Sequence, residues 1–161
     1  MKYLLLIPAL AMAILASAQS THKKDLIGTW HFYQMINNGK TVIDASDPKV
    51  LQNMMNEQMK KKQNVSEEDR KKLMAQGESM QKAYEQISVT YNEDGTMEDA
   101  TLQSISEGKP KNKGTYVFDE QTGKLTATKV GSNDEVTIVK ITNGVLTAEI
   151  PSAGMSILFK K

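Results

Sequence analysis

The sequence predicts a mostly β fold: an up-and-down antiparallel β-barrel of about eight or nine strands into which an α-helical hairpin is inserted. Two observations support this prediction. From residue 87 to the C-terminus, short alternating segments recur every roughly 8–12 residues between turn signals such as Glu93-Asp94-Gly95 and Asn143-Gly144. Over residues 47–86, in contrast, the apolar residues recur at helical spacing. A meander of this many strands closes economically into a barrel, because closure removes the unpaired edges.

Residues 1–18 have the three parts of a signal peptide: a positive charge at Lys2, an apolar run, and the small residues Ala16-Ser17-Ala18 before the cleavage site. The apolar run contains a proline and is shorter than the ~20 residues that span a bilayer, so no stable membrane anchor is expected after cleavage. Residues 19–161 are then a single exported domain, in the periplasm or outside the cell. The chain has no Cys and therefore forms no disulfide.

The charge of the chain argues against nucleic acid as a partner. Of 20 basic residues only Lys2 lies in the predicted signal peptide, which leaves 20 − 1 = 19 basic residues against 19 acidic ones. Binding to phosphates depends on a net or strongly clustered positive charge. We therefore expect no nucleic-acid binding.

The first strand is predicted over residues 27–36, where side chains alternate between two faces. One face carries Trp30, Phe32 and Ile36, and the other carries Thr29, His31, Tyr33 and Met35. The sequence Asn-Asn-Gly-Lys at 37–40 favours a tight hairpin turn, because Asn and Gly tolerate positive φ. Residues 41–43 form the predicted return strand.

Two helices are predicted between residues 47 and 86. Asp47-Pro48 begins the first helix, since Asp accepts hydrogen bonds from free amides and Pro fits the first helical position; this helix ends near Lys62. Ser66 and Asp69 form a capping box that begins the second helix, which ends near Gln86. The apolar stripe of the second helix is predicted to contain Leu73, Gly77, Met80, Tyr84 and Ile87.

This helical insert is rich in methionine, a flexible side chain that packs against irregular or changing shapes. Met54, Met55, Met59 and Met80 allow two interpretations: a lid over an apolar cavity, or the buried stripe of two amphipathic helices. We favour the stripe. Gly77 indicates a close approach of the two helices or a bend.

The remaining strands follow as a meander. They are predicted at residues 87–91, 96–106, 115–118, 125–130, 136–141, 145–150 and 155–160. Residues 107–113 form a basic loop between two of these strands.

Four segments together resemble the lipocalin superfamily, in particular the lipocalin-like proteins that bacteria export. They are Leu26-Ile27-Gly28-Thr29-Trp30, residues 87–96, residues 114–118 and the closing residues 157–161. The resemblance implies a barrel with Gly28 and Trp30 at its closed base, and with a basic residue of the last strand near Trp30. That residue is usually Arg; this chain offers Lys160 or Lys161, and Lys reproduces the stacking of Arg on an indole poorly. Members of this superfamily generally bind small apolar molecules.

No catalytic or metal-binding pattern is visible, so we expect neither an enzyme nor a cofactor. The two histidines, His22 and His31, stand apart from any Cys or metal motif. Three acidic pairs provide the carboxylates that glycoside hydrolysis would need, but each lies near a turn, where solvated Asp and Glu are ordinary. These pairs are Glu93-Asp94, Glu98-Asp99 and Asp119-Glu120.

The sequence leaves two functions open. In the first, the protein binds a small apolar ligand non-covalently inside the barrel. With Trp30 pointing inward, the register predicts the wall residues Phe32, Val89, Tyr91, Tyr116 and Phe118. In the second, side chains fill the barrel and the protein is a structural or protein-interaction module that binds a protein partner through its helices or its basic loop. A barrel of about eight strands can be either filled or hollow.

Overall fold

The computed structural model describes residues 21–61, 66–129 and 134–161, and the signal peptide predicted at residues 1–18 lies outside them. Their strands form one antiparallel sheet, as the sequence predicted. The strands are β1 (Gly28–Asn37), β2 (Lys40–Asp44), β3 (Ser88–Tyr91), β4 (Thr96–Ala100), β5 (Asn112–Asp119), β6 (Lys124–Lys129), β7 (Glu135–Thr142), β8 (Val145–Ile150) and β9 (Met155–Lys160).

The sheet closes into an eight-strand barrel because β1 pairs with β3 on one edge and with β9 on the other. From β3 onward each strand pairs with the next in the sequence, which confirms the up-and-down order. β2 is an extra strand. It pairs with β1 over Gln34–Asn37, beyond the segment Gly28–His31 that pairs with β3. β2 and β3 thus pair with successive parts of the same edge of β1, and the helical hairpin connects these two strands.

The described residues contain four α-helices, which are α1 (Lys23–Leu26), α2 (Pro48–Lys61), α3 (Glu67–Tyr84) and α4 (Leu102–Ser106). Helices α2 and α3 confirm the predicted hairpin. The capping box also forms, since the hydroxyl of Ser66 accepts a 3.1 Å hydrogen bond from the amide of Asp69. Among the described helices, none has the length and apolar character needed to cross a membrane.

Two predicted strand boundaries were wrong, and one short helix was not predicted. The strand predicted over residues 96–106 ends at Ala100, and α4 follows, because Thr101 and Ser104 cap each other's amides at 3.2 and 3.0 Å. Residues Lys23–Leu26 form the single turn α1, a helix that was not predicted from the sequence. The strand predicted to begin at residue 115 begins at Asn112, within the predicted basic loop.

The first strand departs from the predicted alternation because it contains a β-bulge. Its pairing with β9 shifts register between Phe32 and Gln34. The extra residue of a bulge reverses the faces that follow it. Met35 therefore packs with the interior residues, although it was predicted on the outer face, opposite Ile36.

Two apolar clusters hold the structure together. The larger fills one end of the barrel and contains Leu26, Trp30, Val89, Tyr91, Met97, Tyr116, Leu125, Ala127, Val139 and Leu146. The second lies beneath the helical hairpin and contains Phe32, Ile43, Leu51, Met55 and Tyr84. The barrel and the inserted helices thus have separate cores, which meet at Phe159, a neighbour of both clusters.

Candidate functional site

The end of the barrel away from Trp30 is hollow. It holds a cavity of about 280 Å³, walled mainly by apolar side chains of the strands together with Tyr84 of α3 and Leu102 of α4. Its lining residues are Phe32, Met35, Tyr84, Ile87, Ser88, Val89, Tyr91, Met97, Asp99, Ala100, Thr101, Leu102, Leu125, Ala127, Lys129, Glu135, Thr137, Ala148, Ile150, Ile157 and Phe159. Ligand sites of proteins are typically concave and mostly apolar, with a few polar groups.

The five wall residues predicted from the sequence divide into two groups. Phe32, Val89 and Tyr91 line the cavity. Tyr116 and Phe118 are not among its lining residues, because β5 places them against the filled end. Tyr116 packs edge-on against Tyr91, with their ring centroids 4.9 Å apart, and so forms part of the floor beneath the cavity wall.

Trp30 lies at the filled end and is 1% exposed, as expected of a residue at the base of the barrel. Its indole Nε1 donates a 2.7 Å hydrogen bond to the carbonyl of Leu26. The ammonium of Lys161 lies 4.7 Å from the centroid of the indole and donates hydrogen bonds to the carbonyls of Asp25 and Ile27, at 3.2 and 2.9 Å. Lys161 thus occupies the place where the resemblance implied a basic residue, and it stacks on the ring where the sequence led us to expect poor stacking. Gly28 has a φ of +118°, a backbone conformation that residues with a side chain rarely adopt.

The methionines of the helical hairpin do not line the cavity. Met55 and Met59 are buried and Met54 is half-buried, so these three belong to the predicted stripe. Met80 was placed on that stripe wrongly, because it is 36% exposed and the next residue, Gln81, faces inward instead. Gln81 Nε2 donates hydrogen bonds to the carbonyls of Asp44 and Ala45, at 3.3 and 2.9 Å, which explains how a polar residue occupies this buried position.

The hairpin still borders the cavity through the end of α3. Tyr84 stacks on Phe32, with their ring centroids 5.5 Å apart, and Phe159 packs edge-on against the same ring at 6.3 Å. Gly77 allows α2 to come close, because a Cβ at this position would overlap the sulfur of Met55. The close approach predicted at Gly77 is therefore confirmed.

One side of the cavity carries charge. Lys129 of β6 contacts Asp99 of β4 at 2.9 Å and Glu135 of β7 at 3.2 Å. Asp99 also accepts a 2.7 Å hydrogen bond from the side-chain amide of Asn112 on β5. The side chains of Asp99 and Lys129 are 11% and 19% exposed, whereas that of Glu135 is 61% exposed. The charged group thus runs from the interior to the rim of the barrel.

This environment shifts two pKa values. Burial acts to lower the pKa of Lys129, but hydrogen bonds and charge attraction from Asp99 and Glu135 outweigh it and raise that pKa above its ordinary value. Burial, followed by the negative charges of Asp99 and Glu135, raises the pKa of Tyr91. Lys129 is therefore a cation and Tyr91 a neutral phenol at physiological pH. Within the described ranges, no residue is hydrogen-bonded to the Tyr91 hydroxyl.

This charged group was not predicted from the sequence. The prediction that Asp99 is a solvated residue near a turn was wrong, because Asp99 is 8% exposed. Alternation along single strands was the available signal. Asp99 is two residues from the buried Met97, and Lys129 is two residues from the buried Ala127. Finding the group also required the register between strands, which brings these alternating positions together.

The described parts of the chain contain no cluster of three His, Cys, Asp or Glu residues able to hold a metal ion. His31 is exposed on β1 between two buried residues, and His22 pairs with Glu120 at 3.1 Å outside the cavity. Neither histidine is among the residues that line the cavity, where Asp99 and Glu135 lie.

A closed antiparallel barrel with an apolar cavity at one end is the class of protein that the fold and this site define. The structure is similar to the crystal structure of a DUF4847 family protein from Bacteroides vulgatus, with a TM-score of 0.54. The match covers 84% of this chain and 92% of that one at 12% sequence identity, so it supports the fold alone. No protein-family model and no curated protein matches the sequence. The resemblance to lipocalins therefore stays a prediction.

Proposed function

We propose that the protein binds a small, mostly apolar molecule non-covalently in the hollow end of its barrel, and that it acts by binding rather than by catalysis. The cavity of about 280 Å³ is the observation that supports this proposal. Ligand cavities commonly measure about 300–1,000 Å³, so this one suits a ligand of modest size, such as a single alkyl chain or one fused ring system.

The wall supplies the main contribution to binding. Each Å² of apolar surface removed from water contributes roughly 25 cal/mol, and most of the lining residues are apolar. Tyr91 lines the cavity and its hydroxyl stays protonated, so it provides a hydrogen-bonding group that can orient the ligand. Specific pockets combine these two elements.

Filling the cavity from within tests the proposal. Ala148 lines the cavity from β8, and an Ala148→Phe substitution places a ring in the empty space. The neighbouring Thr147 lies on the opposite face of the same strand, so Thr147→Phe adds the same ring outside the barrel and is the matched control. Both variants are first compared with the wild type by circular dichroism and urea unfolding.

Binding is then measured with N-phenylnaphthylamine, an uncharged dye whose fluorescence increases in apolar surroundings. We expect the wild type and Thr147→Phe to bind the dye, and Ala148→Phe to bind it at least about tenfold more weakly, a change of about 1.4 kcal/mol. Absence of binding in the wild type, or equal binding in a folded Ala148→Phe variant, would contradict the proposal. Either result favours the alternative of a protein-interaction module.

A further inference from the structure

The charged side of the cavity has an excess of negative charge. One ammonium, on Lys129, faces two carboxylates, on Asp99 and Glu135, so the group has a formal charge of +1 − 2 = −1 at neutral pH. Asp134, which precedes Glu135, does not line the cavity and accepts a 2.7 Å hydrogen bond from Thr128 on the outer face of β6. A polar ligand group at this side of the cavity therefore meets a negative potential.

The hydrogen bonds within the group decide what it can accept. Lys129 already contacts both carboxylates, and Asp99 accepts hydrogen bonds on one oxygen from Lys129 and on the other from Asn112. A ligand carboxylate that competed for the ammonium would approach two like charges. It would also weaken the pairing of Asp99, which is 8% exposed and costly to leave without its counter-ion.

A ligand that donates hydrogen bonds meets the opposite situation. Glu135 is 61% exposed at the rim, and a carboxylate has about four lone-pair positions, so it can accept further hydrogen bonds while it keeps its contact with Lys129. An alcohol or an ammonium group can donate to it without breaking the pair of Lys129 and Asp99. A cationic donor also gains from the net charge of the group.

We infer that the cavity selects amphipathic molecules whose polar end donates hydrogen bonds, a primary amine above an alcohol, and discriminates against carboxylates such as free fatty acids. The inference deepens the proposed function and rests on it, because the apolar part of such a molecule must occupy the cavity first. It assigns the ligand class to the polar side of the site: Asp99, Lys129 and Glu135.

Three compounds with the same alkyl chain isolate the effect of the polar end: decylamine, decanol and decanoate. Their binding to the wild-type protein is measured by isothermal titration calorimetry at neutral pH and low salt. We expect decylamine to bind about tenfold more tightly than decanoate, which corresponds to about 1.4 kcal/mol, with decanol between them. Raising the salt from ~0.1 M to ~1 M shortens the Debye length from about 10 Å to about 3 Å and should narrow the difference.

Two variants test the residues that we assign. Glu135→Gln changes the formal charge of the group from −1 to 0, and the exposure of this side chain makes misfolding a small risk. We expect it to reduce the preference for decylamine over decanoate severalfold. The double variant Asp99→Asn, Glu135→Gln brings the charge to +1 and should reverse the preference.

Glu98→Gln is the matched control. It removes a carboxylate next to Asp99 in the sequence, but Glu98 lies on the outer face of β4, 3.8 Å from Lys113, and does not line the cavity. The preference should not change in this variant. If the double variant fails to fold, Glu135→Gln and the wild type still provide the comparison.

The outcomes separate the two proposals. If none of the three compounds binds the wild type, the proposed function fails and this inference fails with it. If the compounds bind but decanoate binds as tightly as decylamine, only the inference about the polar end is overturned. An equal loss of preference in Glu98→Gln and Glu135→Gln would also overturn it, since the effect would then come from the overall charge of the protein.

Discussion

Replacing Lys161 with Met should destabilise the closed end of the barrel measurably, although the residue is exposed. Its ammonium donates to the carbonyls of Asp25 and Ile27 and lies over the ring of Trp30. It therefore ties the end of the chain to the turn that precedes β1. Met keeps a long, flexible side chain against the ring and removes only the charge and its hydrogen bonds.

The magnitude follows from the contacts that are lost. Hydrogen bonds from a charged group contribute about 1.5–3 kcal/mol in protected sites, and a cation over an aromatic ring contributes about 0.5–1 kcal/mol at exposed sites. Water can rehydrate the carbonyls of Asp25 and Ile27, since both bonds are exposed, so the lower part of this range applies. We expect Lys161→Met to lower the free energy of unfolding by about 1–2 kcal/mol.

Urea unfolding measures this change, with Trp30 as the reporter because it is the chain's single tryptophan. The slope of the free energy against urea should stay constant, which would show that the denatured state is unaffected. Lys161→Arg should be as stable as the wild type, because a guanidinium stacks on indole at least as well as an ammonium. Lys111 is exposed, and no contact of its ammonium with another described residue is found, so Lys111→Met is the control, with an expected change within ±0.5 kcal/mol.

Equal stability of Lys161→Met and Lys111→Met would refute this reasoning. The contact over Trp30 would then contribute nothing, and the stability of this end would rest on the packing of Leu26 and Trp30 alone.

Two further predictions concern caps and buried carboxylates. Thr101→Ala removes the cap of α4 and should lower the free energy of unfolding in urea by about 1 kcal/mol. Thr101→Ser keeps the hydroxyl and should lower it much less. Equal losses in the two variants would show that the methyl group of Thr101, and not its hydroxyl, stabilises the structure. Burial acts to raise the pKa of Asp44, but hydrogen bonds from Ser46, Gln34 and the amide of Asp47 outweigh this effect and lower the pKa. The ionised Asp44 therefore stabilises the folded state, and this stabilisation is complete at pH values above the unfolded pKa of about 3.9. Asp44→Asn should therefore lower the free energy of unfolding in urea by about 1–3 kcal/mol at pH 7. The difference in this free energy between the variant and the wild type should shrink as the pH falls through the lowered pKa of the folded state. A difference that does not change with pH would contradict this account.

The order of the elements could be read from the sequence because local signals determine it. The turn at 37–40 and the cap at Ser66 depend on residues only a few positions apart, and both appear in the structure as expected, with Asn38 and Gly39 at positive φ. The missed helix α4 had a local signal as well. Thr101 and Ser104 have capping-box spacing, but the residues around them also alternate in the way that predicts a strand.

The positions that were predicted wrongly depend on the partner of each strand. The bulge in β1 lies at Tyr33 and arises from the pairing with β9, about 120 residues further along the chain. The residues next to Tyr33 in the sequence do not predict it. Met35 consequently turned out to face the interior. Likewise, Met80 and Gln81 are adjacent on α3, and Met80 was predicted to be the buried residue of the two because its side chain is apolar. Gln81 faces inward because the carbonyls of Asp44 and Ala45 accept its amide hydrogens, a fact that belongs to β2 and its loop.

The contrast between the filled and the hollow ends of the barrel follows from the sizes of side chains at matching depths. Inward positions of β6 and β8 carry Leu125, which lines the cavity where it borders the filled end, and Leu146, which does not line it; they are 2% and 1% exposed. Two residues further along the same strands, the inward positions carry Ala127 and Ala148, and both line the cavity. Because these positions of β6 and β8 carry a methyl group in place of an isobutyl group, side chains fill less of the interior at this depth. The charged pair of Asp99 and Lys129 lies beside the space that remains. We expect leucine at both Ala127 and Ala148 to extend the packing of the closed end into the cavity, so the small side chains of these two residues help to keep this end of the barrel hollow.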